Sequence, residues 1–147
     1  MQVLVGSLDT HQTNPPADEY FQNLCVQIVD KHYLIRSAAI ADNVGHLMAA
    51  AYRKNLLPLM TFEDSSRAAA QAAIRAATRN KFKSKIGELK FSISRYEKLV
   101  RATIPIQNGE KLRFLALITF DIEAEAESII SRRILPIVFK NNEYFIQ

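Results

Sequence analysis

The sequence predicts an α+β domain in which helices flank a single sheet. Segments with helical and strand periodicity alternate in the order helix, strand, strand, helix, strand, strand, strand, helix. Two glycine-containing turns join neighbouring strands, as antiparallel hairpins require. The 147 residues suit one domain, and the apolar (48%) and charged (23%) fractions are those of a globular protein.

The chain begins with a segment that we expect to be a linker or arm, residues 1–17. Residues 6–16 are polar and aperiodic and end in two prolines. The single domain is expected over residues 18–139. Asp18 is placed to cap a first helix whose inward face follows one-face helical spacing at Phe21, Leu24, Cys25, Ile28 and Val29.

The first hairpin is predicted from two apolar runs, residues 34–41 and 46–52. Residues 42–45, Asp-Asn-Val-Gly, provide the turn, because Asp and Asn tolerate turn conformations and Gly accepts a positive φ. Both strands are rich in alanine, so another element is expected to pack closely against them.

The second helix is predicted to start at Thr61, a candidate cap, with Glu63 and Asp64 in the first turn, where carboxylates suit the helix dipole. Its body, residues 65–82, contains seven alanines. Such a small face allows either close approach of another helix or close packing on the small residues of its own sheet. Gly87 is expected just beyond the basic end.

The three remaining strands show the clearest alternation. Residues 89–94, 100–106 and 112–120 alternate apolar with polar or small side chains, and Asn108-Gly109 predicts a hairpin between the last two.

A third helix is predicted from about Ile122, with Pro136 ending or kinking it. Residues 140–147 are expected to be a tail or a short strand, with 143–146 as the candidate strand. The inward positions of the third helix are Ala126, Ile129, Ile130 and Ile134.

No motif for catalysis, metal binding or phosphate binding is visible, so we assign no catalytic residue, cofactor or metal and expect no enzymatic activity. Cys25 is expected to be a buried small hydrophobe. The histidines, His11, His32 and His46, are scattered without ligand spacing. A single cysteine excludes an internal disulfide and favours a reducing, cytoplasmic compartment. No signal peptide or membrane-spanning segment is predicted.

Positive charge is concentrated in residues 75–113, where eleven Lys and Arg stand against three Glu, a net +8; the rest of the chain carries −4. Such a surface can attract phosphates or acidic partners, and nucleic-acid binding is one hypothesis. Lys and Arg are also common on solvent-facing strand positions. Phe82 and Tyr96 are the few aromatic residues interleaved with this charge.

The element order over residues 18–136 resembles the Roadblock/dynein light-chain domain, a profilin-like sandwich. Residues 50–54 (AAYRK), 76–81 (AATRNK) and 95–105 (RYEKLVRATIP) are also similar to small archaeal proteins of that general shape. The resemblance implies a five-stranded antiparallel sheet in strand order 2-1-5-4-3, with the second helix on one face and the terminal helices on the other. It also implies dimers that act as scaffolds or as regulators of small GTPases.

The leading functional hypothesis is therefore a cytoplasmic, homodimeric interaction module that contacts a small GTPase or another signalling partner. One alternative is a small-molecule sensor of the PAS or GAF kind, which would bury its ligand between sheet and helix in a sizeable apolar cavity. Nucleic-acid binding is the third hypothesis. The interface is predicted on the second helix, at Ala69, Ala73, Ala76, Arg75 and Arg79.

Overall fold

Six antiparallel strands form one sheet in the computed structural model, which describes residues 3–6, 15–108 and 111–140. The strands are β1 (Val3–Gly6), β2 (Ile35–Asp42), β3 (Leu47–Arg53), β4 (Ser92–Arg95), β5 (Val100–Asn108) and β6 (Lys111–Phe120), in the order β1-β3-β2-β6-β5-β4. The five predicted strands therefore have the predicted order. The addition is β1, which pairs with β3 at one edge.

The helices are α1 (Pro15–Val29), α2 (Phe62–Arg79) and α3 (Lys83–Ile86), followed by a C-terminal helix made of α4 (Ala126–Ile129), a π-helical turn (Ile130–Ile134) and α5 (Leu135–Lys140). A 3₁₀ turn, Asn80–Phe82, links α2 to α3. Over the described residues, no helix combines the length and apolarity needed to cross a lipid bilayer.

The hydrophobic core lies on both faces of the sheet, and one of its two parts is much larger than the other. On one face α1 and the C-terminal helix cover large aliphatic and aromatic side chains, as predicted for the terminal helices. On the other face α2 packs through Ala72, Ala73 and Ala76 on Leu115. The largest fully buried side chains are Phe120, Ile28, Ile35, Ile40, Ile104, Ile106, Leu115, Ile118, Ile130 and Ile134.

The start of the chain differs from the prediction. Residues 3–6 form β1 and not a linker, since a four-residue edge strand is recognisable only through its pairing with β3. The first helix starts at Pro15, so Asp18 lies inside the first turn and is not its cap. Proline is favoured at the first position of a helix, because its ring presets φ and its missing N–H would have had no helical partner there.

Two further boundaries were wrong. The third predicted strand starts at Ser92, not at residue 89: residue 90 would face Pro105, which has no N–H for a ladder bond. The last helix starts at Ala126 and continues through Pro136 to Lys140. The wider π-helical turn directly before Pro136 accommodates the lost i→i−4 hydrogen bond. The candidate strand at 143–146 lies outside the described residues.

Candidate interaction surface and adjoining cavity

Helix α2 begins with a complete capping box. The Thr61 hydroxyl accepts a hydrogen bond from the backbone N–H of Asp64 (3.0 Å), and the Asp64 carboxylate accepts one from the N–H of Thr61 (3.1 Å). This confirms the predicted cap at Thr61. An exposed ion pair, Glu63 with Arg67 (2.7 Å), continues the first turn on the solvent side.

The alanine face of α2 lies on its own sheet. Ala69, Ala73 and Ala76 are 0–7% exposed, and the last two pack on Leu115. Of the two contacts that the sequence left open, the structure shows the one with the sheet. These three alanines are therefore inaccessible to a second chain while α2 is docked, which corrects their placement on an outward interface.

The turn between β2 and β3 also touches α2. Gly45 has φ +91°, and a Cβ placed on it would lie 2.8 Å from the backbone nitrogen of Ala70 and 2.9 Å from the carbonyl oxygen of Ala69. The backbones of turn and helix therefore meet at a distance that only glycine permits. This contact joins the β2–β3 turn to the middle of α2.

The outer face of α2, which we define as Arg67, Gln71, Ile74 and Thr78, is exposed along its length. Ile74 is 67% exposed at its centre. Sequence reasoning missed this residue, although its position off the alanine stripe signals it. Of the predicted interface residues, Arg75 is partly buried and Arg79 is exposed beside this face.

Basic residues continue beyond α2 with two exposed apolar side chains, Phe82 (59%) and Ile86 (82%). Lys81 and Lys85 are exposed in the same stretch. Lys83 binds Glu88 (3.3 Å) and Gln107 (3.2 Å), which ties the stretch to β5. Nucleic-acid binding by this surface stays a prediction.

Within the described part of the chain, the sheet ends in two edge strands, β1 and β4. Strand β4 pairs with β5 on its inner side, and no strand of the described residues pairs with its outer side. Ile93 is 36% exposed on β4. Such an edge presents unpaired backbone N–H and C=O groups to another strand.

A cavity of about 80 Å³ lies between the sheet and the N-terminal half of α2. Its floor carries four polar side chains that we call the polar row: Tyr52, Ser37, Thr119 and Arg101, each opposite the next on neighbouring strands. Desolvation raises the pKa of Tyr52. Its phenol therefore stays neutral. Small side chains complete the lining from both sides, among them Ala39, Ala50, Ala68 and Ala72, with Ser65 and Met60.

An ion-pair cluster connects the ends of β2, β3 and β6. Asp121 accepts two hydrogen bonds from Arg53 (2.7 and 3.0 Å) and one from Arg36 (3.2 Å). Arg53 also donates to the carbonyl oxygen of Tyr33 (2.8 Å), and Arg36 to that of Leu57 (3.3 Å). The hydrogen bond from Arg53, followed by that from Arg36, holds the pKa of Asp121 below its usual value against the opposing effect of burial.

The remaining side chains with reactive groups, a cysteine and two histidines, are buried or contact neighbouring groups of the fold. Cys25 is fully buried, as predicted, and burial raises the pKa of its thiol. His32 accepts a hydrogen bond from the N–H of Leu34, and His46 lies 3.1 Å from the Asp42 carboxylate in the β2–β3 turn. His11 lies outside the described residues. Across the part of the chain that the structure describes, no group of three His, Cys, Asp or Glu is arranged to hold a metal ion.

Comparison with solved structures shows that the fold is similar to that of Roadblock/LC7 domains. A Roadblock/LC7 domain from Streptomyces avermitilis matches with a TM-score of 0.65 at 13% identity, covering 86% of this chain and 98% of that one. An MglB structure with a tetrameric arrangement matches with a TM-score of 0.70 at 12% identity, covering 90% and 93%. The gliding protein MglB from Thermus thermophilus gives 0.67 at 13% identity, covering 91% of each chain. No protein-family model and no curated protein matches the sequence.

Proposed function

We propose that this chain is a non-enzymatic regulatory module of the cytoplasm that forms a homodimer and binds a protein partner. The fold supports this, because the Roadblock/LC7 resemblance implies dimeric scaffolds and regulators. The partner class it implies is a small GTPase. The observation that carries the proposal is the exposed outer face of α2 together with the uncovered edge of β4.

The outer face of α2 has the chemistry of a contact surface with an apolar centre. Ile74 exposes two-thirds of its surface in the middle of the helix, with polar Arg67, Gln71 and Thr78 around it. An apolar centre with a polar rim is typical of protein interfaces. Arg79, exposed at the end of the same helix, adds a donor for a carboxylate of the partner.

The edge of β4 offers a second, backbone-mediated contact. A strand of another copy can pair with its outer N–H and C=O groups and continue the sheet. Ser92 and Ser94 alternate with Ile93 and Arg95, so the strand has no apolar run that would favour unspecific aggregation. A dimer that used both the edge of β4 and the outer face of α2 would bury both features.

Analytical ultracentrifugation of the wild type and two matched variants tests the dimer. The wild type is expected to sediment as a species of twice 16.7 kDa. Ile74→Asp should weaken self-association at least tenfold, because a carboxylate would be buried without a partner. Tyr33→Asp, at a site 69% exposed beyond the end of α1, should leave it unchanged. A monomeric wild type at high concentration, or equal behaviour of the two variants, would contradict the proposal.

The partner class is tested separately by affinity capture from the extract of the native cells. Wild type and Ile74→Asp are used as baits, with either GDP or a non-hydrolysable GTP analogue present. A small GTPase should be enriched by the wild type in a nucleotide-dependent manner. If the captured proteins contain no GTPase while the dimer is intact, the regulatory proposal fails and the dimer proposal stands.

A further inference from the structure

We propose that the cavity beneath α2 binds a small aliphatic monocarboxylate, with the carboxylate on Arg101 and the aliphatic chain among the alanines. This inference goes beyond the proposed function and does not require the dimer. It depends on the volume of the cavity, on the absence of an ion-pair partner for Arg101 among the described residues, and on the two hydroxyl groups beside its guanidinium.

The cavity exists because small residues face each other across the helix–sheet contact. Ala68 and Ala72 of α2 lie over Ala39 and Ala50 of the sheet. None of these side chains can extend into the space between them. A volume of about 80 Å³ corresponds to roughly five to eight water-sized positions, at about 10–15 Å³ each. That number fits a ligand of about five to eight non-hydrogen atoms.

Arg101 brings a positive charge to the floor of this cavity and has no strong acceptor within the described residues. Its guanidinium lies 5.2 Å from the centroid of the Tyr96 ring and donates to the sulfur of Met60 at 3.2 Å. A thioether is a weak acceptor. In the described ranges, no carboxylate lies within ion-pair distance of Arg101. Most of its five N–H donors are therefore available to a ligand.

Two hydroxyl groups adjoin the guanidinium. Thr119 is opposite Arg101 on the neighbouring strand, and its hydroxyl lies 2.5 Å from that of Ser37. This hydrogen bond uses one of the two hydroxyl protons. The other proton can be donated to a ligand oxygen. The polar row thus offers a planar cation and one neutral donor side by side.

This arrangement favours a carboxylate over other ligand classes. A carboxylate accepts two parallel hydrogen bonds from one guanidinium and leaves an apolar chain to contact the alanines and Met60. A phosphate would bring a second charge and further oxygens into a lining with a single cation, which leaves them unpaired. An uncharged apolar ligand would cover Arg101 without supplying an acceptor.

The proposal is tested with pentanoate, which has seven non-hydrogen atoms, and with the uncharged pentanamide. Amide chemical shifts of the ¹⁵N-labelled full chain are followed during each titration. Pentanoate should shift the signals of residues 37, 68, 101 and 119 saturably. Pentanamide should bind at least tenfold more weakly, and acetate should also bind more weakly, by about fourfold for each buried methylene it lacks.

Three variants separate this site from unspecific binding. Arg101→Met should weaken pentanoate binding at least tenfold without affecting pentanamide, and Arg101→Lys should recover part of the affinity through its charge. Ala68→Leu, which is compatible with a helix, should fill the cavity and abolish binding of both compounds. Absence of saturable shifts, equal affinity for pentanamide, or retained binding in Arg101→Met or Ala68→Leu would overturn the proposal.

Discussion

Replacing Asp121 by Asn removes the charge at the centre of the ion-pair cluster. The carboxylate is one-fifth exposed, and the side chains of Arg36 and Arg53 are 13% and 24% exposed. The substitution keeps one acceptor oxygen but turns an NH₂ group toward an arginine donor. Two guanidinium groups are then left without their counter-ion at the ends of β2 and β3.

The expected loss is about 2 kcal/mol in the free energy of unfolding. Exposed ion pairs contribute roughly 0.2–1 kcal/mol, and removal of one partner of a fully buried pair costs roughly 3–5 kcal/mol. The cluster lies between these limits, because its three side chains are mostly but incompletely buried. Arg53 and Arg36 also keep their bonds to backbone carbonyls. For a chain of this size, the melting temperature should fall by about 4–8 °C.

The effect must depend on pH in one direction. Arg53, and then Arg36, lowers the pKa of Asp121 in the folded state, so as the pH falls the unfolded chain takes up this proton first, near pH 4. The stabilisation is complete above that value and is lost as the pH falls through the folded pKa. The difference between wild type and Asp121→Asn should therefore shrink between pH 7 and pH 3.

Urea unfolding followed by circular dichroism at pH 7, 5 and 3 measures these differences. The matched control is Glu63→Gln, which removes an exposed ion pair with Arg67 whose side chains are about 73–74% exposed. It should change stability by less than about 0.5 kcal/mol. If Asp121→Asn lies within that same range at pH 7, or if its deficit grows toward pH 3, the reasoning about the cluster is refuted.

Two further predictions concern glycine and cysteine. Gly45→Ala should destabilise by at least about 3 kcal/mol, because it combines a positive φ with a steric clash against the backbone of Ala69 and Ala70. Gly87 also has a positive φ (+88°), but a Cβ there would have open space around it. Gly87→Ala should therefore lower the free energy of unfolding by only about 1–2 kcal/mol in the same urea experiment. Equal losses for the two variants would show that the contact of Gly45 with α2 is unimportant. Cys25 should react with a thiol reagent at pH 8 only as fast as the chain unfolds, since the buried thiol is inaccessible and burial raises its pKa. Labelling at the rate seen in urea would disprove this.

The strand pattern made most of the sheet predictable, because alternation is a local property of the sequence. Ala116, Ile118 and Phe120 face the larger core, as their spacing indicates, and Leu115 faces α2. The edge strand β1 was not predictable in this way. Four residues carry too little periodicity, and only the pairing with β3 gives them a structure.

The packing partner of the alanine face of α2 could not be predicted from the sequence. Small side chains permit close approach of a helix or of a sheet equally well, so composition alone could not distinguish these partners. The distinction comes from Gly45, far from Ala69 in the sequence, whose turn contacts the helix only after β2 and β3 have paired. Ile74, on the opposite side, is then an apolar residue of α2 that a partner can reach.

The polar row also could not be predicted from the sequence. Its members come from four strands, and their alignment depends on two register irregularities. One, between Ile40 and Ala41, precedes the pairing of Ser37 with Tyr52, and the other, between Ile106 and Gln107, precedes that of Arg101 with Thr119. Counting residues from the two turns along ideal strands would assign different neighbours, because a shift of one residue reverses the faces. From the sequence alone, Arg101 is one of the eleven basic residues in the range 75–113, and only the strand register places it in the cavity beneath α2.

The cavity and the outer face lie on opposite sides of the same helix, which makes a link between them physically possible. The residues that α2 buries are all alanines, which contribute little apolar area, and its position depends on the Gly45 contact and the connection through Lys83. A ligand in the cavity would change partner affinity only if it binds two positions of α2 with different affinities. A carboxylate that fills the space below Ala68 contacts the docked helix from inside, so it would favour that position over a displaced one. It would then strengthen the contact of any partner that requires the docked helix, and binding of that partner would strengthen ligand binding by the same factor.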